Sequence, residues 1–128
     1  MIFDTDVLIW VFRHDRGAEQ LVDIETDRGA SIVTLMEMLQ GAKTRAELMV
    51  TRQFFVDLEI RIIPLSETIS YTAANLIEGH ALTDGLRIED ALIAATAREL
   101  GETLATANVR HFRTIPNLSV KAFRPRRM

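Results

Sequence analysis

Ile2-Phe3-Asp4-Thr5-Asp6-Val7-Leu8-Ile9-Trp10-Val11-Phe12 decides how this chain is read. Two apolar residues meet an acid, and a longer apolar run follows. A run of that length is ambiguous between a buried strand and a buried helix. The acids at 4 and 6 divide it, so the stretch is read as a strand through about Thr5 and a helix behind it. Working outward, Gly17–Arg28 carries Ala18, Leu21, Val22 and Ile24 at helical spacing, and Ser31-Ile32-Val33 reads as a second strand. Leu35, Met36, Met38 and Leu39 form a helical face closed near Gly41. Leu48, Phe54, Phe55 and Leu58 mark another helix, and Ile60–Leu65 suits a third strand stopped around Pro64. Ser66 opens a further helix. Ile88–Leu100 is Ala-rich with Gly101 behind it, Leu104-Ala105 gives a fourth strand, and Leu118, Val120 and Ala122 alternate as a last one. Strands separated by helices imply α/β architecture, with a short parallel sheet of four to five strands covered on both faces.

The chain has 128 residues and 14.5 kDa, which suits a single domain over 1–128. Apolar residues at 48% and charged residues at 26% are ordinary globular usage and exclude disorder, collagen and coiled coil for the whole chain. No stretch approaches the roughly 20 apolar residues of a membrane span. The N-terminus lacks the basic region of a signal peptide. With no cysteine, a disulfide scaffold, a thiolate metal site and a thiol nucleophile are excluded. A cytoplasmic location is expected. The net charge of −3 hides an asymmetry: residues 1–107 hold nine basic against eighteen acidic side chains, and the rest holds six basic and no acid. An acidic body suits a cation site, and a basic tail (Arg124, Arg126, Arg127) suits phosphates or solubility.

Ligands of parallel α/β sheets bind beyond the carboxyl ends of the strands. That rule selects Asp4, Thr5 and Asp6 after the first strand, Thr34 and Glu37 after the second, and Thr106 and Asn108 after the fourth. Asp90 sits at the start of the helix preceding the fourth strand. Crowded carboxylates raise one another's pKa unless a cation sits among them. Oxygen-only donors favour Mg²⁺ or Mn²⁺ over zinc, and the three histidines lack a zinc-type spacing. Each acid also has a plain structural reading. Thr34-Leu35-Met36-Glu37 matches a capping box, Glu89 and Asp90 suit a helix first turn, and Asp6 suits an N-cap. The combination carries the argument, not any one acid.

Four segments, in order and spread over nearly the whole chain, resemble PIN-domain ribonucleases, specifically VapC-type toxins of bacterial toxin–antitoxin pairs. They are Ile2–Leu8, Ser31–Gly41, Glu89–Ala97 and Leu104–Phe112. The resemblance implies a three-layer α/β/α PIN-like fold and a Mg²⁺-dependent endoribonuclease, Mn²⁺ being the alternative ion. Asp4, Glu37 and Asp90 fall on the metal-site acids, and Asn108 falls where relatives often carry a fourth acid. Thr5 and Thr106 would supply hydroxyls. His111, where some relatives have Asp, is read as a surface histidine. Arg110 and Arg113 are the candidate RNA contacts, helped by the tail arginines. The resemblance also implies a homodimer and a VapB-type antitoxin partner, held along the helices of residues 17–28 and 45–58. Two other readings stay open. Asp4-Thr5-Asp6-Val7 resembles the nucleophile motif of haloacid-dehalogenase-type phosphatases, with Asp4 as nucleophile, although Lys43 and Lys121 are the sole lysines. The other is a partner-binding PIN domain that has lost catalysis, with Asn108 as the sign.

Overall fold

A computed structural model describes residues 1–126; Arg127, counted above in the basic tail, lies outside the described residues. The elements are β1 (Ile2–Phe3), α1 (Thr5–Phe12), α2 (Arg16–Asp23), β2 (Gly29–Ser31), α3 (Ile32–Gln40) and α4 (Arg45–Asp57), followed by β3 (Arg61–Ile63), α5 (Glu67–Asp84), α6 (Ile88–Leu100), β4 (Leu104–Thr106), α7 (Val109–Phe112) and β5 (Val120–Ala122). The five strands form one sheet in the order β3-β2-β1-β4-β5, and every neighbouring pair is parallel.

Successive strand residues face opposite sides, so Ile2 and Leu104 belong to one apolar cluster and Phe3 and Ala105 to the other. The first cluster continues into Ile69, Ala73 and Leu76 of α5 and Ala91, Ala94 and Ala95 of α6. The second takes Val7, Leu8 and Val11 of α1, Leu21 and Val22 of α2 and Phe55 of α4. The result is the expected α/β/α three-layer fold. Apolar burial on both faces of a parallel sheet fits the central strand β1, whose Ile2 and Phe3 are both apolar and fully buried.

Several boundaries differ from the sequence reading. The first strand stops at Phe3. The second lies earlier than Ser31–Val33, with Ile32 and Val33 forming the first turn of α3. The Ser31 hydroxyl accepts the Val33 N–H at 3.1 Å and starts the helix there. Gly29, a poor strand former on its own, occupies β2 because a Cβ would stand 2.8 Å from Ile2 Cδ1 across the pairing. The helix expected over 17–28 ends at Asp23. The α6 boundaries match the reading, and Gly101 closes that helix at φ 65°.

Candidate active site

β1 lies mid-sheet, with β2 on one side and β4 on the other, so the chain leaves the sheet in opposite directions around its end. Such a reversal opens a crevice at the carboxyl ends of the strands. Asp4 sits there, 6% exposed. It is the N-cap of α1: Oδ1 accepts the Thr5 N–H at 2.8 Å. The early end of β1 gives Asp4 the capping role expected of Asp6. Asp4 Oδ2 accepts from the Thr106 hydroxyl at 2.7 Å, and Thr106 Oγ1 in turn accepts the Asn108 N–H at 2.9 Å. Burial pushes the Asp4 carboxyl up to about 7, the neighbouring Asp6 charge adds to this, and the bonds from Thr106 and Thr5 oppose it; Asp90 contributes a further, smaller push.

Asp6, in the first turn of α1, accepts the Ala107 N–H on Oδ2 at 3.1 Å. Its Oδ1 is buried and has no hydrogen-bond partner among the described residues. Burial raises its pKa too, against the pull of the Ala107 amide.

Glu37 comes from the middle of α3. Ser31, not Thr34, caps that helix, so the capping-box reading of Thr34 and Glu37 does not hold. Instead Thr5 Oγ1 lies 2.7 Å from Glu37 Oε1 and 3.0 Å from the buried Thr34 Oγ1. A hydroxyl has one proton. Thr5 donates it to the carboxylate and accepts from Thr34, so two buried threonines steady Glu37. Thr5 and Thr106 thus supply hydroxyls to the acids, as expected.

Asp90 lies in the first turn of α6, whose N-cap residue Arg87 makes no side-chain cap bond. The acids at 89 and 90 compensate the open helix end. Asp90 Oδ2 stands 3.1 Å from Nδ1 of His111, and the Asn108 side-chain nitrogen lies 2.9 Å from the same ring atom. Asp4, Asp6, Glu37, Asp90, Asn108 and His111 line one cavity, with Arg87 and Glu89 at its edge. The four expected residues are therefore brought together. His111 is not a bystander on the surface: α7 places it three residues after Asn108, on the same side of a helical turn, and that i, i+3 spacing was the signal available in the sequence. Arg87, 74% exposed and paired through Nε with Glu89 at 2.9 Å, is a second residue the sequence reading passed over.

Arg110 and Arg113 do not line this cavity, and Arg124 and Arg126 lie instead beside Gly17, Gln20 and Ile24 of the α2 region. The Arg126 N–H is held by the buried Asp15 carboxylate at 2.9 Å. No lysine lines the cavity, which removes the phosphate-holding lysine needed for the phosphatase reading.

As arranged, no group of three or more His, Cys, Asp or Glu side chains among the described residues is set to hold a metal ion. Glu37 is turned to Thr5 and Asp90 to His111. The donor chemistry nevertheless fits a hard divalent cation. The donors are oxygens, the buried Asp6 Oδ1 has no partner among the described residues, and burial together with the neighbouring Asp6 charge holds the Asp4 carboxyl above the usual carboxylate range, which a cation would reverse.

A family model described as PIN domain matches residues 1–118. Among solved structures, a chain of a toxin–antitoxin complex from Klebsiella pneumoniae is 31% identical, with a TM-score of 0.77 over 94% of this chain and 95% of that one. The DNA-bound VapBC from Salmonella typhimurium matches with a TM-score of 0.79 at 22% identity, over 94% and 96% of the two chains. VapBC2 from Rickettsia felis, solved with a promoter DNA fragment, gives 0.76 at 24%, over 97% and 100%. These last two bear on the fold alone. No curated protein gives a significant match. The family model and the Klebsiella relative agree with the VapC-type resemblance of the motifs, and the chain belongs to the PIN domain family.

Proposed function

We propose that this chain is the toxin of a toxin–antitoxin pair, a divalent-metal-dependent endoribonuclease of VapC type. The carrying observation is that Asp4, Glu37 and Asp90, from three distant parts of the chain, line one cavity at the carboxyl ends of the central strands. Crowding anions at that cost makes sense where a cation completes the site. Asp4 and Asp90 would hold Mg²⁺ directly and Glu37 directly or through water, with Mn²⁺ as substitute; when bound, the ion lowers the pKa of a water and neutralises charge on the scissile phosphate.

The remaining tasks fall to the chain's own side chains. Thr106 fixes Asp4 and thereby its orientation toward the cavity. Thr5 occupies Oε1 of Glu37, which leaves Oε2 to take the proton of the attacking water. Asn108 contributes no charge and serves as a polar contact to substrate or water. Arg87 lines the cavity with the acids and would hold a flanking phosphate. Hydrolysis by water leaves a 5′-phosphate and a 3′-hydroxyl.

An antitoxin fits the same reading. An apolar groove lined by Ile9, Phe12, Met38 and Val50 shares Glu37 with the acidic cavity and continues past Val11, Phe54 and Leu58. It runs between α1, α3 and α4; α2 contributes Glu19 to it and lines a separate groove through Gly17, Gln20 and Leu21. A VapB-type segment lying in it would deliver an Arg or Lys to the carboxylates. A homodimer rests on the resemblance. No described helix is long and apolar enough to cross a membrane.

The test is RNA cleavage by purified protein in Mg²⁺ and in EDTA. Cleavage in Mg²⁺ that disappears in EDTA and in Asp4→Asn and Asp90→Asn supports the proposal. Cleavage retained in Asp4→Asn places the chemistry elsewhere. A folded, metal-binding protein without nuclease activity would favour the partner-binding alternative.

A further inference from the structure

We propose that His111 is a positioning residue of the metal site, acting through Asp90. The inference rests on the metal-dependent reading above and adds a residue to it.

The ring is tied at one nitrogen and faces the acids. Nδ1 stands 3.1 Å from Asp90 Oδ2, and the two side chains are 29% and 16% exposed. An ionised carboxylate accepts and cannot donate, so this contact is a bond only when Nδ1 carries the proton. Asp90 thereby selects the Nδ1–H tautomer, and the ring in return fixes which carboxylate oxygen is engaged. With Oδ2 occupied, Oδ1 is the oxygen left for the cavity. In metal sites, the donors behind a ligating carboxylate set its orientation in this way, and losing one costs about 10–100-fold in metal affinity.

The contact also joins two elements. Asp90 opens α6, and His111 belongs to α7, a helix of four residues with no side-chain cap bond at its start. So short a helix has little stability of its own. Its placement relies on Phe112 in the core on one side and on His111 on the other. Asn108 Nδ2 lies 2.9 Å from the same nitrogen, but a protonated Nδ1 has no lone pair to accept from it, so the bond His111 makes in this tautomer is the one to Asp90.

Alternative uses of the ring differ in what they need. A purely structural histidine would need its volume and its contacts, not its donor. A direct metal ligand would need a nitrogen lone pair among the acids, whereas the nitrogen beside Asp90 is Nδ1, which carries the proton in this tautomer.

The test measures Mn²⁺ binding by calorimetry at one fixed pH, on the purified full chain. His111→Phe keeps a ring and removes the donor; His111→Ala removes both. His111→Asn places an amide N–H near the position of Nδ1. Thermal unfolding in EDTA is recorded for each. The expected result is a 10–100-fold loss of Mn²⁺ affinity in His111→Phe and His111→Ala, with His111→Asn within about threefold of the parent. Parent-like affinity in His111→Phe overturns the proposal, as does an Asn variant no better than Phe. Loss of cooperative unfolding in both donor-less variants makes His111 structural and equally ends it. If the parent binds no Mn²⁺, the metal reading itself falls and takes this inference with it; if the parent binds and the variants bind alike, only the inference falls.

Discussion

Asp4→Asn should make the metal-free protein more stable at neutral pH while removing its activity. The magnitude follows from where the carboxyl sits. Its pKa is raised from 3.8 to about 7, chiefly by burial. Three units correspond to ~4 kcal/mol between the two protonation states. A raised folded-state value means that the folded protein holds the proton more tightly than the unfolded chain. The stabilisation is therefore complete below about pH 4 and is lost as pH climbs to about 7. Asn escapes that loss because it never ionises. It keeps the cap, since its oxygen can still accept the Thr5 N–H, but gives up the second oxygen that bonds Thr106, at about 1–2 kcal/mol. The balance at pH 8 is ~2–3 kcal/mol in favour of Asn, or roughly a 10 °C higher midpoint for a domain of this size. At pH 4 the order reverses, because Asp4 is neutral there and still bonds Thr106. Urea unfolding in EDTA from pH 4 to pH 8 reads both ends. Added Mg²⁺ should restore the wild type by preferential binding to the folded state and leave the variant unmoved. Parallel stability profiles for the two proteins would refute the account of Asp4 as a buried, poorly compensated acid.

Glu37→Gln should lower RNA cleavage by at least about 100-fold and change stability by under about 1 kcal/mol, since Gln still accepts from Thr5; full activity would return Glu37 to a structural role. Arg87→Ala, made in an inactive Asp4→Asn background, should weaken short-RNA binding and reduce the salt dependence by about one unit, with smaller effects from Arg110→Ala and Arg113→Ala; an unchanged slope moves the phosphate contact away from Arg87. The tail of an antitoxin encoded beside this chain should bind more weakly as Mg²⁺ rises at constant ionic strength, and that dependence should vanish when its inserted Arg is changed to Ala. Binding indifferent to both changes means that inhibition works by covering the RNA surface.

Sequence alone was enough for the alternation of elements and for the cluster of acids. Those features are local. Ile88–Leu100 shows its apolar face and its Gly stop within thirteen residues, and Asp4 declares itself by following an apolar strand. Order along the chain also placed Asp4, Glu37, Asp90 and Asn108 at ends of elements that a parallel sheet gathers on one edge. What the tertiary structure decided is which hydrogen bonds those residues make, because their partners are far away in sequence. Ser31, not Thr34, starts α3 because β2 pairs with β3 as far as Ser31, which frees Glu37 from capping and hands it to Thr5, 32 residues away. Asp4, not Asp6, caps α1 because β1 stops at Phe3 between its two parallel neighbours. His111 reaches Asp90 across 21 residues, Arg126 folds back on Asp15 across 111, and neither pairing has a local signature. Periodicity and caps are properties of a short segment, whereas the partner of a buried polar group is chosen by whatever the whole fold brings within hydrogen-bonding distance.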